Sequence, residues 1–161
     1  MLKSKTEILN LTGKSIRSRN VLHLDHWLRP KLSKKLAKKS VATLLKKNLT
    51  IAFVDRATSR KLNLKHRKRN YATDVLSFAP IEDSSMGELV FCYQVIQRQA
   101  REHSLRLRDE LAYMFIHGLL HLLGFEHEKS QKQARRMFEI QDFYFEAYLK
   151  SLKKPNSSTS R

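Results

Sequence analysis

Three histidines between His117 and His127 constrain this chain more than any other feature. His117 and His121 are four residues apart, so in a helix their rings lie on one face, one turn above the other. Two imidazoles at that spacing can hold one metal ion, with bonds of about 2.0–2.1 Å to zinc. Gly124 falls where such a helix would end, because glycine readily takes the left-handed conformation that stops a helix. The chain reversal brings His127 back toward the same ion as a third ligand.

Three protein ligands leave one position of a tetrahedral zinc open, which is typical of catalytic rather than structural sites. A single histidine on an apolar helix is usually a core residue, but this run contains three. Leucines, Phe115 and Ile116 occupy nearly every direction of the predicted helix, residues 112–123, and so predict that it is buried. Buried imidazoles need partners for their ring nitrogens, and a metal supplies one. We therefore predict a metal-binding histidine motif at the end of a buried helix.

The histidine spacing also matches the zinc-protease signature H-E-x-x-H-x-x-G-x-x-H. The match fails after the first histidine, because Gly118 stands where the protease has its glutamate general base. Glu88 and Glu126 are candidate bases only because they lie near motif residues. The sequence therefore predicts the metal geometry of a protease and argues against peptide hydrolysis.

The run resembles the YbeY family of zinc-dependent endoribonucleases, whose signature is H-G-x-L-H-L-x-G-[YF]-[DE]-H. The segment from Leu62 to Phe78 is similar to the family block L-N-x-x-[YF]-R-x-x-[DN]-x-x-T-[DN]-V-L-S-F. The segment Gly87-Glu88-Leu89-Val90 is similar to the family strand G-D-[IL]-V. Four residues depart from the commonest residues of the family. His66 replaces an aromatic residue, Lys68 replaces Gly, and Glu88 and Glu126 each replace Asp.

The resemblance implies a single-strand-specific endoribonuclease that acts in maturation of the small-subunit ribosomal RNA 3′ end and in ribosome quality control. It implies one Zn²⁺ bound by His117, His121 and His127. It also implies that Arg67 is catalytic, since a guanidinium can hold two phosphate oxygens at once. The substrate-binding candidates are Arg67, Lys68, Arg69 and Ser77. The implied partners are a small-subunit ribosomal RNA precursor and the ribosome or ribosome-associated proteins.

Two other functions stay open at this stage. One is a zinc hydrolase of a different substrate, and the other is a non-enzymatic ribosome-assembly or RNA-binding factor with a structural zinc. Asp74 is a candidate for orienting Arg67 or a histidine, and both Asp74 and Ser77 suit a purely structural turn or strand-end role as well. Two details of the chemistry also stay open. The attacking group is either water or the RNA 2′-hydroxyl, and the metal is either zinc or another divalent ion.

The charge of the chain, +17, is unevenly distributed. Residues 1–81 contain 20 lysines and arginines against four acidic residues, whereas residues 82–161 contain 12 against 11. This segregation predicts a basic surface for a polyanion, with nucleic acid favoured over an anionic membrane. Residues 66–71 are predicted to be a basic loop, in which the rings of His66 and Tyr71 can stack on unpaired bases.

The length of 161 residues indicates one domain. We assign residues 1–152 to a single YbeY-like metallo-endoribonuclease domain and residues 153–161 to a disordered basic tail. Interleaved strands and helices, with a hairpin between segments 74–78 and 86–93, predict an α+β fold in which helices pack on a small mixed sheet. A helical pattern covers residues 21–47, and Pro30 offers a point where it can divide.

Three features favour a cytoplasmic location. Cys92 is the only cysteine, and its apolar strand indicates a core residue in a reducing compartment. The first ten residues have no apolar run of signal-peptide length. The longest apolar stretch, around residues 116–125, is too short to span a bilayer, so no membrane partner is expected.

Overall fold

The computed structural model describes residues 5–153. Its elements in chain order are β1 (Thr6–Asn10), α1 (Arg19–Leu36), α2 (Lys39–Leu44), β2 (Asn48–Val54), α3 (Arg56–Arg67), β3 (Val75–Phe78), β4 (Ser85–Cys92), α4 (Tyr93–Glu102), α5 (Leu107–Leu122) and α6 (Gln131–Lys153). The strands form one sheet in the order β1-β2-β4-β3. β1 and β4 both run parallel to β2, and β3 pairs antiparallel with β4. The predicted mixed sheet and the hairpin between β3 and β4 are confirmed.

The two faces of the sheet have unequal cores. Successive side chains of a strand point to opposite faces, so Leu89 and Phe91 of β4 enter the main core, whereas Val90 lies in a smaller cluster. The main core also contains the buried apolar residues of α1, α5 and α6. The smaller cluster contains Leu62 of α3. The fold is therefore a sheet with a thick helical layer on one face and a thin one on the other.

Helix α5 is the central helix of the thick layer and contacts β3, β4, α1, α4 and α6. Gly118 permits its close approach to the sheet, since a Cβ there would lie 2.9 Å from Leu89 Cδ2 and 3.3 Å from Val75 Cγ2. Asp109 and Glu110 occupy its first turn, where negative charge is favoured. The buried helix that carries the first two histidines is confirmed.

The division of the helical segment 21–47 does not occur at Pro30. Helix α1 continues through Pro30 and ends at Leu36, because the next residue, Ala37, has a φ of 47°. Asp25 and Arg29 stabilise the helix before Pro30 through a buried ion pair of 2.6 Å. Arg29 also donates to the carbonyls of Leu45 and Lys47, at 3.1 and 2.7 Å, so tertiary contacts hold this region in place.

The prediction that residues 66–71 form a loop is wrong for its first two residues. Helix α3 extends to Arg67, because Asp55 caps its start by accepting from the Thr58 amide at 2.7 Å and lysine and arginine favour helices. Lys68 ends the helix with a φ of 60°. Helix α6 likewise extends to Lys153, one residue into the predicted tail, and residues 154–161 lie outside the described residues.

Candidate metal centre

The three motif histidines meet at one point. His117 and His121 project from successive turns of α5, and their Nε2 atoms are 3.1 Å apart. The ring of His127 is 5.1 Å from that of His117 and 5.0 Å from that of His121, centroid to centroid. One ligand nitrogen from each ring lies within 4.8 Å of the others. Two nitrogens on one tetrahedral zinc are about 3.3 Å apart, so the observed spacing fits a shared ion.

His127 reaches this point because of the way α5 ends. Gly124 has a φ of +89°, and its amide donates to the carbonyl of His121 at 3.0 Å. The amide of Phe125 donates to the carbonyl of Leu120, also at 3.0 Å. These two bonds form a Schellman motif, which turns the chain sharply after the helix. The predicted role of Gly124 as the residue that ends the helix is confirmed.

The imidazole of His117 is held from outside α5. Its Nδ1 lies 2.9 Å from Oε1 of Gln141, a residue of α6 whose side chain is completely buried. A ring nitrogen engaged in this way leaves the opposite nitrogen, Nε2, directed at His121. Metal-ligating histidines usually have such a partner on their second nitrogen.

The surroundings keep two of the imidazoles neutral. Burial is the main cause that lowers the pKa of His117, and the charge on His127 acts in the same direction. Burial, followed by the neighbouring charges on His117 and His127, lowers the pKa of His121 to about 4. A neutral imidazole has a lone pair available for a metal, so these two rings can bind a cation at neutral pH.

The histidines line a cavity of about 240 Å³ whose other walls come from several elements. Arg67 at the end of α3, Ser77 of β3 and Phe138 of α6 are among the lining residues. The exposed guanidinium of Arg67 contributes to lowering the pKa of both His117 and His121. The fold thus brings the predicted catalytic arginine to the predicted metal ligands.

The other predicted substrate-binding residues have different positions. Arg69 lines the cavity but forms an ion pair of 3.2 Å with Glu128. Ser77 also lines it, while its hydroxyl donates to the Gly118 carbonyl at 3.2 Å and so ties β3 to α5. Lys68 is not among the described lining residues, because its amino group turns back to the Lys65 carbonyl at 3.3 Å.

The carboxylates of the cavity are not the two that the sequence singled out as candidate bases. Glu88 is exposed on β4, and Glu126 lines a separate groove beside Lys38 and Arg136. Glu128 and Asp74 line the cavity instead. Both oxygens of Asp74 accept hydrogen bonds, from the Val75 amide at 2.7 Å and from Gln99 at 2.9 Å.

Sequence reasoning missed Glu128 and Gln141. Glu128 follows a metal-ligand candidate directly, and Arg69 is the main cause that lowers its pKa, so the carboxylate stays charged beside the cavity. The signal that could have found Gln141 is a polar residue in an otherwise apolar stripe of α6, because a buried amide needs a hydrogen-bond partner, which here is His117.

Known proteins resemble this chain over both motif blocks. The family described as endoribonuclease YbeY matches residues 12–149. The chain belongs to the YbeY endoribonuclease family. The resemblance drawn from the histidine motif and the Leu62–Phe78 block is therefore confirmed.

Individual YbeY relatives support the assignment. A protein of Bdellovibrio bacteriovorus named endoribonuclease YbeY is 49% identical over 107 residues, which is 66% of this chain and 71% of the relative. One of Thermosipho melanesiensis with the same name is 31% identical over 86% of this chain and 93% of the relative. The solution structure of TM1509 from Thermotoga maritima superimposes with a TM-score of 0.61 at 26% identity and covers 96% of this chain and 99% of that one.

No helix within residues 5–153 combines the length and the apolar character that a membrane crossing needs.

Proposed function

We propose that this protein is a zinc-dependent, single-strand-specific endoribonuclease. The observation that carries the proposal is the meeting of three histidines with Arg67 in one cavity, in a chain of the YbeY family. The relatives named endoribonuclease YbeY support RNA as the substrate. We further propose action in the cytoplasm on the small-subunit ribosomal RNA precursor, in 3′-end maturation and ribosome quality control, with the ribosome or its associated proteins as partners.

The donor set favours zinc over the hard cations. Three neutral imidazoles suit zinc and its transition-metal neighbours, whereas Mg²⁺ and Ca²⁺ prefer oxygen ligands. His117, His121 and His127 would hold the ion, and their nitrogens have the spacing that it requires. When bound, a zinc ion with three histidine ligands supplies Lewis acidity and lowers the pKa of water to about 7.

The residues around the histidines suit a phosphodiester. Negative charge grows on phosphoryl oxygens during cleavage, and a preorganised cation stabilises it. Arg67 is exposed at the cavity wall, and its planar guanidinium matches two of those oxygens. Glu128 also lines the cavity, and its charged carboxylate accepts a hydrogen bond from Arg69 through one oxygen. We assign Glu128 the role of proton acceptor.

Selectivity for single strands follows from how RNA presents its groups. An unpaired strand can turn a base outward and stack it on an aromatic ring, whereas a duplex hides its bases. Tyr71 follows α3 in the chain and is 52% exposed, which leaves its ring available for stacking. His66 packs edge-on against Phe78 at 5.0 Å, centroid to centroid. We therefore assign the stacking role to Tyr71.

The decisive experiment is cleavage of a small-subunit ribosomal RNA precursor by the purified protein. Four samples are compared: the protein as isolated, after chelation, after zinc is restored, and His121→Ala prepared in parallel. We expect cleavage in the first and third samples alone. Cleavage in all four would indicate a contaminating nuclease. RNA binding without cleavage in any sample would instead favour a non-enzymatic assembly factor.

A further inference from the structure

Gln141 is a buried amide in a place where packing alone would favour a hydrocarbon. Its side chain has no exposed surface, and the buried residues on the same face of α6 are Met137, Tyr144 and Tyr148. Burying an amide without hydrogen bonds is unfavourable, whereas a leucine of similar size avoids that cost. The bonds that Gln141 makes therefore identify its role.

The two contacts of Gln141 define which way its amide faces. On one side lies the backbone carbonyl of Tyr113, at 3.5 Å from Nε2. A carbonyl oxygen only accepts, so the amide nitrogen must be on that side. Oε1 consequently faces Nδ1 of His117 at 2.9 Å. The opposite amide orientation would place two oxygens against each other.

The amide orientation determines the tautomer of His117. An amide oxygen only accepts, so Nδ1 of His117 must carry the proton that it donates. A neutral imidazole has a single N–H, and Nε2 is therefore left with its lone pair. That lone pair faces Nε2 of His121, which lies 3.1 Å from Nε2 of His117. Both nitrogens can then bind one ion.

We propose that Gln141 is a positioning residue of the metal centre, an inference that rests on the proposed zinc site. It fixes the Nδ1–H tautomer and the ring plane of His117, and so presents Nε2 to the metal. The partner is a neutral amide rather than a carboxylate. The ring is therefore less basic than in a carboxylate–histidine pair, and an ion bound there would keep more of its positive charge.

The helix that supplies Gln141 is anchored next to it. Tyr113 of α5, whose carbonyl faces the Gln141 amide, also donates its hydroxyl to Asp142 of α6 at 3.2 Å. Two adjacent residues of α6 are thus bound to a single residue of α5, one turn before His117. Docking of α6 is therefore coupled to the geometry of the metal ligands.

The tautomer can be tested without any metal. Long-range proton–nitrogen NMR spectra of the metal-free protein at pH 7 distinguish Nδ1–H from Nε2–H imidazoles. We expect His117 to be the Nδ1–H form in the natural protein and to become a mixture in Gln141→Leu. An Nε2–H form in the natural protein would overturn the proposal.

Zinc affinity, measured by competition with a chelating dye, tests the consequence. We expect Gln141→Leu to bind zinc about 10–100-fold more weakly. Gln141→Met keeps the length of the side chain and lacks the acceptor, so it should show the same loss and covers the case in which the leucine variant fails to fold. Equal affinity in the natural protein and in a folded Gln141→Leu would overturn the proposal.

Tyr144→Phe is the matched control on the same helix. It removes one α6 hydrogen bond, from the Tyr144 hydroxyl to the Lys31 carbonyl at 3.2 Å, remote from the histidines. We expect its zinc affinity to be unchanged, and an equal loss in both variants would reduce Gln141 to a packing role. These measurements are independent of RNA. An inactive natural protein with the expected zinc affinities would refute the nuclease and leave the positioning role in place.

Discussion

Two adjacent cations, Arg67 and Lys68, have different surroundings although the sequence presents them as one basic run. Arg67 is the last residue of α3 and lines the histidine cavity. Lys68 has a φ of 60°, and its amino group returns to the Lys65 carbonyl. The left-handed conformation strains residues other than glycine, so Lys68 ends α3 at a cost in backbone energy.

Replacement of Arg67 is expected to impair cleavage selectively. We expect Arg67→Ala to lower kcat by about 10²–10³-fold, the range found when one preorganised donor to a developing oxyanion is removed. Zinc content should be unchanged, because Arg67 is not a ligand. Arg67→Lys should restore only part of the rate, since an ammonium lacks the planar two-oxygen contact.

Lys68→Ala is the matched control for that experiment. It removes the neighbouring positive charge, which is outside the described cavity lining, and should leave kcat close to the natural value. Equal losses in Arg67→Ala and Lys68→Ala would mean that only the overall charge of the region matters.

At the scale of elements, the site depends on how α5 ends. Gly124 has open space around it, so a Cβ there would meet no atom within 4 Å. The cost of a side chain at this position is therefore backbone strain at its positive φ, about 1–2 kcal/mol. Relief of that strain would move the turn that carries His127.

We expect Gly124→Ala to weaken zinc binding in addition to lowering the free energy of unfolding. Gly13→Ala provides the control, because Gly13 also has a positive φ, of +68°, with no atom within 4 Å of its Cβ position. The two variants should lose similar stability in urea unfolding, but only Gly124→Ala should lose zinc affinity in chelator competition. Equal zinc affinities would show that the turn does not position His127.

The helix α5 also depends on a glycine in its middle. Gly118 faces the sheet, where a Cβ would lie 2.9 Å from Leu89 Cδ2. A Cβ would also lie 3.3 Å from Val75 Cγ2. The close packing of α5 on the sheet therefore leaves no room for the glutamate of the protease signature at this position.

Substitution of Gly118 should invert the usual effect of removing a glycine from a helix. Alanine normally stabilises a helix by about 0.8–1.0 kcal/mol relative to glycine. We expect Gly118→Ala to be destabilising instead, because overpacking costs about 1–3 kcal/mol. Urea unfolding would measure the difference. A higher midpoint for Gly118→Ala would contradict the close contact with the sheet.

At the scale of the whole molecule, the histidines couple folding to pH. Burial lowers the pKa of His121 from its ordinary value of 6.5 to about 4 in the folded protein. Between these values the unfolded chain binds more protons, so stability rises with pH and is lost as pH falls. His103 has the opposite effect on the pH dependence of stability, because its bond to Glu110 raises the pKa of His103. This contribution cancels when the natural protein is compared with His121→Ala, since both contain His103.

The metal-free protein should therefore lose stability between pH 6.5 and about 4 more steeply than metal-free His121→Ala. Thermal unfolding at several pH values in the presence of chelator would measure both slopes. Parallel slopes would show that His121 titrates normally in the folded protein.

Much of this molecule follows from short-range patterns. The spacing of His117 and His121, the glycine that ends their helix and the hairpin strands are local features that a linear sequence displays directly. The C-terminal end of α3 is harder to predict from the sequence, because a run of lysine and arginine without apolar residues has helical propensity but no visible core face. The cap at Asp55 and the left-handed turn at Lys68 decide that helix.

The sequence by itself determined the histidine triad and the family, because three histidines within eleven residues lie on one helix and the turn that follows it. Only the tertiary structure decided what surrounds them. Gln141 reaches His117 from 24 positions away through the docking of α6, and Arg69 pairs with Glu128 across 59 positions. Such contacts depend on how helices pack and turns fold back. The different directions of the Arg67 and Lys68 side chains follow from the left-handed backbone at Lys68 rather than from residue type.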